Sequence, residues 1–403
     1  MVEQSIKPAQ SHWIGRIFTW LFGAVSFGVL ALLLIALIVR FTTPVQPHKL
    51  QLVQDVLLPS IIASPNTLSP QTAALATHVD RFDFQALDPQ TGLLFIAHPG
   101  PSANKLKSLP SNMPLNKSVV VFNVRTNQIV TNMDVPFVHG LAIAPDLHRV
   151  YAADADDGKL YVLDELKQAV ITSFDLTQTP DSLEYDPDLH EVFVAEPIDR
   201  QGGTKGVVDV VDTQTNKIIQ TIPLNNDIGH IRYDPVSHRM FAVVVNPQLQ
   251  GELVAIDPIA DTVSARVTLP DTCVAPHGQI VDAPQQVAFV ACMNSQNLVA
   301  VDLSSMKILS DPQHLPSVGV KPDILALDHT LHTLFVASTT SITIFDEGKA
   351  TQGGLHLQGD YIVSSGNTHT IAVDDTSHNV YVAVSDLGGR PMLRVEHYNP
   401  NGI

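Results

Sequence analysis

Seven positions at intervals of 56, 42, 48, 48, 46 and 46 residues hold Asp83, His139, Asp181, Gly229, His277, Asp323 and His369, with His230 beside the glycine. Imidazole suits Zn, Cu, Fe and Ni, and carboxylates widen the choice of ion. Four histidines and three aspartates in one funnel therefore have the composition of a divalent transition-metal site, to which His139, His277, His369, Asp83, Asp181 and Asp323 would be the ligands. The same groups also suit a hydrated polar channel in which Asp and His bond to one another and to water. Both readings stay open on the residues alone. A second layer stands fifteen residues after the first three positions, at His98, Asp154 and Glu196. Asp154 and Glu196 are candidates for orienting ring histidines or acting as general bases, and solvated loop residues are the alternative reading.

The elements that must gather these residues are visible as a repeat. Tyr185-Asp186-Pro187-Asp188-Leu189-His190-Glu191-Val192-Phe193-Val194-Ala195 has seven versions, beginning at Leu87, Ile143, Tyr185, Tyr233, Val281, Leu327 and Val373. Each joins a short polar turn to an alternating β-branched or aromatic run. The period is that of a four-stranded propeller blade, and seven copies give a seven-bladed, all-β ring in which the residue starting each innermost strand faces the channel mouth. The chemistry-bearing positions lie five residues before the second residue of each copy, at the start of the predicted innermost strands.

His148, His190, His238, His332 and His378 also recur, four residues after that second residue. They fall in the turn at the opposite end and are read as turn formers, not ligands. Asn123, Asp164, Asp212, Asp257, Asp302 and Asp346 end the predicted third strands, where a short side chain accepts backbone N–H groups and fixes the next turn.

The last strand candidate, Met392–Tyr398, is a third strand, so blade seven lacks its fourth at the C-terminal end. Residues 49–58 resemble the fourth strands Lys217–Pro223 and Thr262–Thr268 and are predicted to close that blade within a propeller spanning 49–400. Closure removes exposed sheet edges. Two insertions, residues 60–79 and Pro99–Lys117, lengthen loops of blade one.

Upstream, Ile17–Val39 is a run of 23 residues without a charge. At about 1.5 Å each it spans a hydrocarbon core of roughly 30 Å. No small-x-small site follows it, so it reads as an uncleaved transmembrane helix with a tail (1–16) before it and a linker (40–48) after it. A single-pass membrane protein with its propeller outside the cytoplasm is the expectation. Three of the 23 basic residues and one of the 40 acidic residues precede residue 48, leaving 20 against 39, a net charge of −19 on the remainder. Such a surface repels polyphosphates, and nucleic acid is not an expected partner.

The two cysteines, Cys273 and Cys292, fall in predicted blade five, where the hairpin brings Cys292 opposite His277. A disulfide suits an oxidising compartment. The alternative is a thiolate beside imidazole at a metal.

The run from Tyr185 to Pro223, with Asp-Pro-x-x-x-His-x-Val-Phe-Val-Ala followed by Val-Val-Asp-x-x-Thr-Asn-Lys-Ile-Ile-x-Thr-Ile-Pro, resembles the YVTN or YncE-like family of seven-bladed β-propellers. The resemblance covers residues 48 to about 400. It implies a secreted or surface-anchored propeller and no single reaction, since this architecture carries binding proteins, lactonases and metal or haem oxidoreductases. Lactonase-like members generally place a Glu among their metal ligands, and the innermost positions here have none. Phosphate loops, haem-attachment, zincin and nucleophile-elbow motifs are absent from the sequence. The expected function is binding of a small-molecule or protein ligand at the channel mouth. A metal-dependent hydrolase or oxidoreductase, and a scaffold using the outer blade edges, are the alternatives.

Overall fold

Seven four-stranded antiparallel sheets make up the computed structural model, which describes residues 49–60, 80–100, 107, 116, 118–197, 205–352, 354–363 and 368–402. Leu50–Pro400 forms one compact unit. The predicted tail, transmembrane helix and linker, and most of the two blade-one insertions, lie outside the described residues. Among the described residues no helix is long and apolar enough to cross a membrane.

In chain order the innermost strands are Gln85–Asp88, Val138–Ala144, Ser182–Asp186, Asp227–Asp234, Pro276–Asp282, Leu325–Asp328 and Ala372–Asp374. Each touches the innermost strands of both neighbouring blades, and blade seven touches blade one, so the propeller is a closed ring. Second strands such as Leu93–His98 and Val287–Cys292 are buried at every residue. They sit inside a blade with sheet on both sides, which is why they read as unbroken apolar runs. Fourth strands such as Thr262–Thr268 alternate between exposed and half-buried residues, because only one face meets a neighbour.

Blade seven is completed from the other end of the chain. Leu50–Leu57 pairs antiparallel with Met392–Tyr398, from Leu50 opposite Tyr398 to Leu57 opposite Met392. Arg394 adds a two-point contact across the seam, its Nε and Nη2 lying 2.9 and 3.0 Å from the carboxylate of Asp55.

Turn chemistry repeats around the ring. Asp88, Asp186, Asp234, Asp282, Asp328 and Asp374 each accept a backbone N–H two or three residues on. Asn123, Asp164, Asp212, Asp257, Asp302 and Asp346 do the same after the third strands. The turn histidines occupy the left-handed region, with φ of 49° at His148, 55° at His190, 50° at His238 and His332, and 56° at His378. Several of them also bridge blades. His190 and Tyr185 meet Asp146, His238 and Tyr233 meet Asp188, and His378 lies 2.7 Å from Asp328. Placing them in the turn was enough to exclude them from the mouth, but the stapling was not legible, because it depends on the neighbouring blade.

Two buried acid pairs give stability an unusual dependence on pH. Burial pushes the Glu347 carboxyl up to about 8, reinforced by Asp282 of the adjacent blade. Burial and Asp209 push Glu196 up to about 10. In the unfolded chain both acids ionise near the ordinary 4.5. The folded state therefore holds protons that the unfolded state has lost. Their contribution to stability is complete below pH 4.5 and is lost as pH rises through the folded values. Thermal unfolding between pH 6 and 9 is expected to show a falling melting temperature, with a shallower slope in Glu347→Gln. An unchanged slope in that variant would exclude this pair as its cause. Deleting residues 50–58 exposes both Met392–Tyr398 and the blade-one interface, and is expected to abolish cooperative unfolding. A deletion variant that melts as the whole chain does would show that ring closure is dispensable.

Candidate functional site

The residues that begin the innermost strands meet at one end of the channel, and the two residue types get there differently. Asp83, Asp181 and Asp323 stand just before their strands, each donating its backbone N–H to the last alanine of the second strand, Ala97, Ala195 or Ala337, at 3.0 Å. In the histidine blades two, four and five the innermost strand carries a β-bulge, between Val138 and Leu141, Ile228 and Ile231, and Pro276 and Gln279. A bulge inserts an extra residue and re-aims side chains. The pairs inserted are His139-Gly140, Gly229-His230 and His277-Gly278. Glycine is required at all three bulges by close approach: a Cβ on Gly140 would lie 2.2 Å from the carbonyl oxygen of Asp181, one on Gly229 2.4 Å from that of His277, and one on Gly278 1.6 Å from that of Asp323.

The result is an alternating circuit. His139 Nδ1 lies 3.4 Å from both Asp83 and Asp181. His277 Nε2 lies 3.9 Å from Asp181 and 3.8 Å from Asp323. Asp323 also meets His369 Nδ1 at 3.5 Å, and His369 Nε2 lies 2.6 Å from the carbonyl of Phe82, next to Asp83. His230 forms the floor, fully buried, with Nε2 3.5 Å from Asp323 Oδ1. All seven positions singled out in the sequence are thus gathered at the mouth.

Three mouth or throat residues were missed. Arg81 reaches into the mouth, its Nη2 3.3 Å from Asp83. Below the ring, Arg232 Nη1 stands 3.7 Å from Glu184, with its guanidinium carbon 5.5 Å from the Phe84 ring centre. A signal existed for the second pair. Three residues after the ring positions come Ala86, Ala142, Glu184, Arg232, Ile280, Ala326 and Ala372, and the two charged residues stand out when the copies are aligned.

Burial and charge divide the ring into ionised and neutral members. Burial pushes Asp181 up, but the hydrogen bond to His139 and the charges of His139, His277 and His230 outweigh it and hold this carboxyl down at about 2. Asp323 is likewise driven well below the usual carboxylate range by its histidines despite burial. His139 and His277 show the reciprocal effect: burial lowers each, and the carboxylates raise each further. Burial dominates at His230 and pulls it down to about 4, so this imidazole is neutral.

His230, His277 and Asp323 each offer one ligand atom within 4.8 Å of the others, the one such grouping of three among the described residues, with Nε2 of His230 and of His277 lying 3.5 and 3.8 Å from Asp323 Oδ1. Composition and spacing fit a transition metal, but the surroundings of His230 do not. The backbone N–H of Gln279 points at His230 Nδ1 from 3.4 Å, so Nδ1 accepts and the proton of the neutral ring sits on Nε2. Ligation through Nε2 needs the opposite tautomer, with Nδ1–H facing an acceptor. His139 and His369 are engaged around the rim and do not join this grouping.

The second layer takes no part in the ring, contrary to expectation for orienting residues. His98 lies 3.2 Å from Asp80 and stacks on Phe82. Asp154 accepts the N–H groups of Asp156 and Asp157 in its own turn. Glu196 accepts from Gln178 N and faces Asp209. These residues end second strands, one strand spacing farther from the axis, and the contacts they make are to neighbouring turn and loop residues and not to the ring. Cys273 and Cys292 form a disulfide with Cα atoms 5.1 Å apart, leaving no thiolate for a metal. Cys292 pairs with Pro276, not with His277 as expected, because the bulge at His277-Gly278 shifts the register.

No protein-family model matches the chain, and no curated protein matches it. Solved structures do. A chain of Kuenenia stuttgartiensis hydrazine synthase is 16% identical with a TM-score of 0.59, covering 76% of this chain and 93% of that one. The WD40 repeats of RRP9 are 10% identical with a TM-score of 0.60, covering 80% and 95%. A chain of the mitotic checkpoint complex is 11% identical with a TM-score of 0.64, covering 89% and 94%. At these identities the likeness is one of fold: the chain is a seven-bladed β-propeller.

Proposed function

We propose that this chain is a membrane-anchored, YncE-like binding module whose ligand enters the channel mouth of a propeller held outside the cytoplasm. The observation that carries the reading is the circuit of three carboxylates and four histidines to which every blade contributes. Propeller mouths are polar in general, but a merely hydrated channel needs neither three aligned bulges nor glycines packed so closely that an added Cβ would overlap the carbonyl of the next blade. Exposure supports it too: the side chains of Asp83, His139, Asp181, His277, Asp323 and His369 are each between 10% and 29% exposed, reachable from solvent yet fixed by neighbours. Fixed polar groups at a partly open concavity are what ligand recognition uses. The ligand is a small molecule or a side chain presented by a protein partner. The charge-free run Ile17–Val39 supports anchoring, and the disulfide supports an oxidising location.

A metal-dependent enzyme, lactonase-like or redox, is the second reading. The His230, His277 and Asp323 grouping favours it, and the tautomer of His230 counts against it.

Melting the full chain against panels of divalent metals, amines and carboxylates, with elemental analysis in parallel, tests both. At a hundred times its Kd a ligand adds about 2.7 kcal/mol of apparent stability. The expected result is a class that raises the melting temperature of the wild type and has no effect on Asp181→Asn or Asp323→Asn. Equal shifts in wild type and variants would move the function to the blade edges, as a scaffold. Stoichiometric metal lost from His277→Ala would favour the enzyme. For location, protease added to intact cells is expected to cleave the propeller; complete protection until lysis would overturn the proposed orientation.

A further inference from the structure

We infer that the channel mouth takes a guanidinium or primary ammonium group, in the place that the chain's own Arg81 now occupies. This rests on the reading of the mouth as a ligand site and names the chemistry of what it binds.

Arg81 shows what fits. Its Nη2 is 3.3 Å from Asp83 Oδ2 and also 3.3 Å from both Nδ1 and Nε2 of His139. Equal reach to both ring nitrogens places the group over the imidazole face, the stacked arrangement that a planar guanidinium adopts on a flat ring. Its side chain is 31% exposed where that of Asp83 is 10%, so the arginine is the outer member of the contact. It is also incompletely satisfied, since Nε is buried without a hydrogen-bond partner.

Around the rest of the ring no permanently charged group takes the place that Arg81 fills beside Asp83. Asp181 and Asp323 have only histidines as ion-pair partners among the described residues. Asp323 Oδ1 makes no close hydrogen bond: fully buried His230 aims its Nε2–H at it from 3.5 Å, which leaves the oxygen acceptor capacity for an incoming N–H donor. Three carboxylates thus face one permanently charged side chain, Arg81. An anion meets these carboxylates and an acidic surface, and a metal meets the wrong tautomer of His230. An organic cation meets neither obstacle, because it brings N–H donors to carboxylate acceptors and asks no lone pair of a histidine.

Calorimetry on the full chain decides the matter, with agmatine and butylamine as cationic probes, butyrate and N-butylacetamide as anionic and neutral controls, and acetyl-Gly-Arg-Gly-amide for a side chain presented by a protein. Both cations are expected to bind, and the controls to fail. Arg81→Ala, which removes the internal competitor, is expected to tighten agmatine by about tenfold, and Asp323→Asn to weaken it by at least as much. Arg81→Met, which keeps the aliphatic stem, replaces the alanine variant if that one melts early. Binding of the peptide in preference to agmatine would identify a protein partner as the source, and the reverse a free amine or guanidine. If N-butylacetamide binds as well as butylamine, or if neither Arg81 variant tightens agmatine, the inference is overturned. Ring-dependent binding of butyrate alone would overturn it while leaving the mouth a ligand site. Failure of every probe in wild type and variants would overturn it together with the reading on which it rests.

Discussion

Closure of the ring is the constraint on which the rest of this molecule depends. Asp83 and His369 are separated by 286 residues, yet His369 Nε2 lies 2.6 Å from the carbonyl of the residue preceding Asp83. That proximity exists because blade seven abuts blade one, and blade seven is a complete sheet because Leu50–Leu57 supplies its outer strand. An open fan of blades would leave unpaired strand edges at both ends and separate the ends of the circuit. The same closure lets six mouth residues from different blades face a common axis, with no loop folding back to carry them there. Position in the repeat thereby becomes position in space.

Given the ring, the mouth is shaped by a backbone device used selectively. Aspartates precede regular innermost strands, whereas three of the four histidines ride on bulges flanked by glycine. The bulge turns the imidazole toward the axis, and the absent Cβ admits the carbonyl of the next blade. Packing between neighbouring innermost strands and placement of the mouth histidines are therefore one structural event. Opposite-charge partners then fix protonation: Asp181 and Asp323 stay ionised in a buried setting only because histidines surround them.

The fold was legible because every blade repeats the same local chemistry, a capped turn followed by a buried β-branched strand, so seven weak signals reinforce one another. Ring members were legible for the same reason: a fixed offset in each copy is a fixed place in the ring. What failed was anything requiring knowledge of direction or register. His98, Asp154 and Glu196 lie one strand too far out, where His98 meets Asp80 and the two acids accept from nearby backbone N–H groups. Cys292 was paired with the wrong residue because a bulge does not announce itself in an alternating pattern, although the glycine after His277 is its trace. Arg81 escaped notice because it precedes the repeat and has no counterpart in the other copies.

Carboxylates buried at the two kinds of site in this propeller behave in opposite ways, and the difference lies in the partner. Glu347 and Glu196, each beside another carboxylate, are pushed up to about 8 and about 10 and are neutral acids at neutral pH. Asp181, as deeply engaged but beside histidines, is held at about 2. The first arrangement removes charge from buried positions within and between blades, where an ion would have no solvent. The second retains charge at the mouth, where a ligand can meet it. A buried acid that contributes only to cohesion is better neutral, since an ionised one must keep a counter-charge in place. The acids of the mouth are kept ionised, with one partner, Arg81, that a competing cation is able to replace.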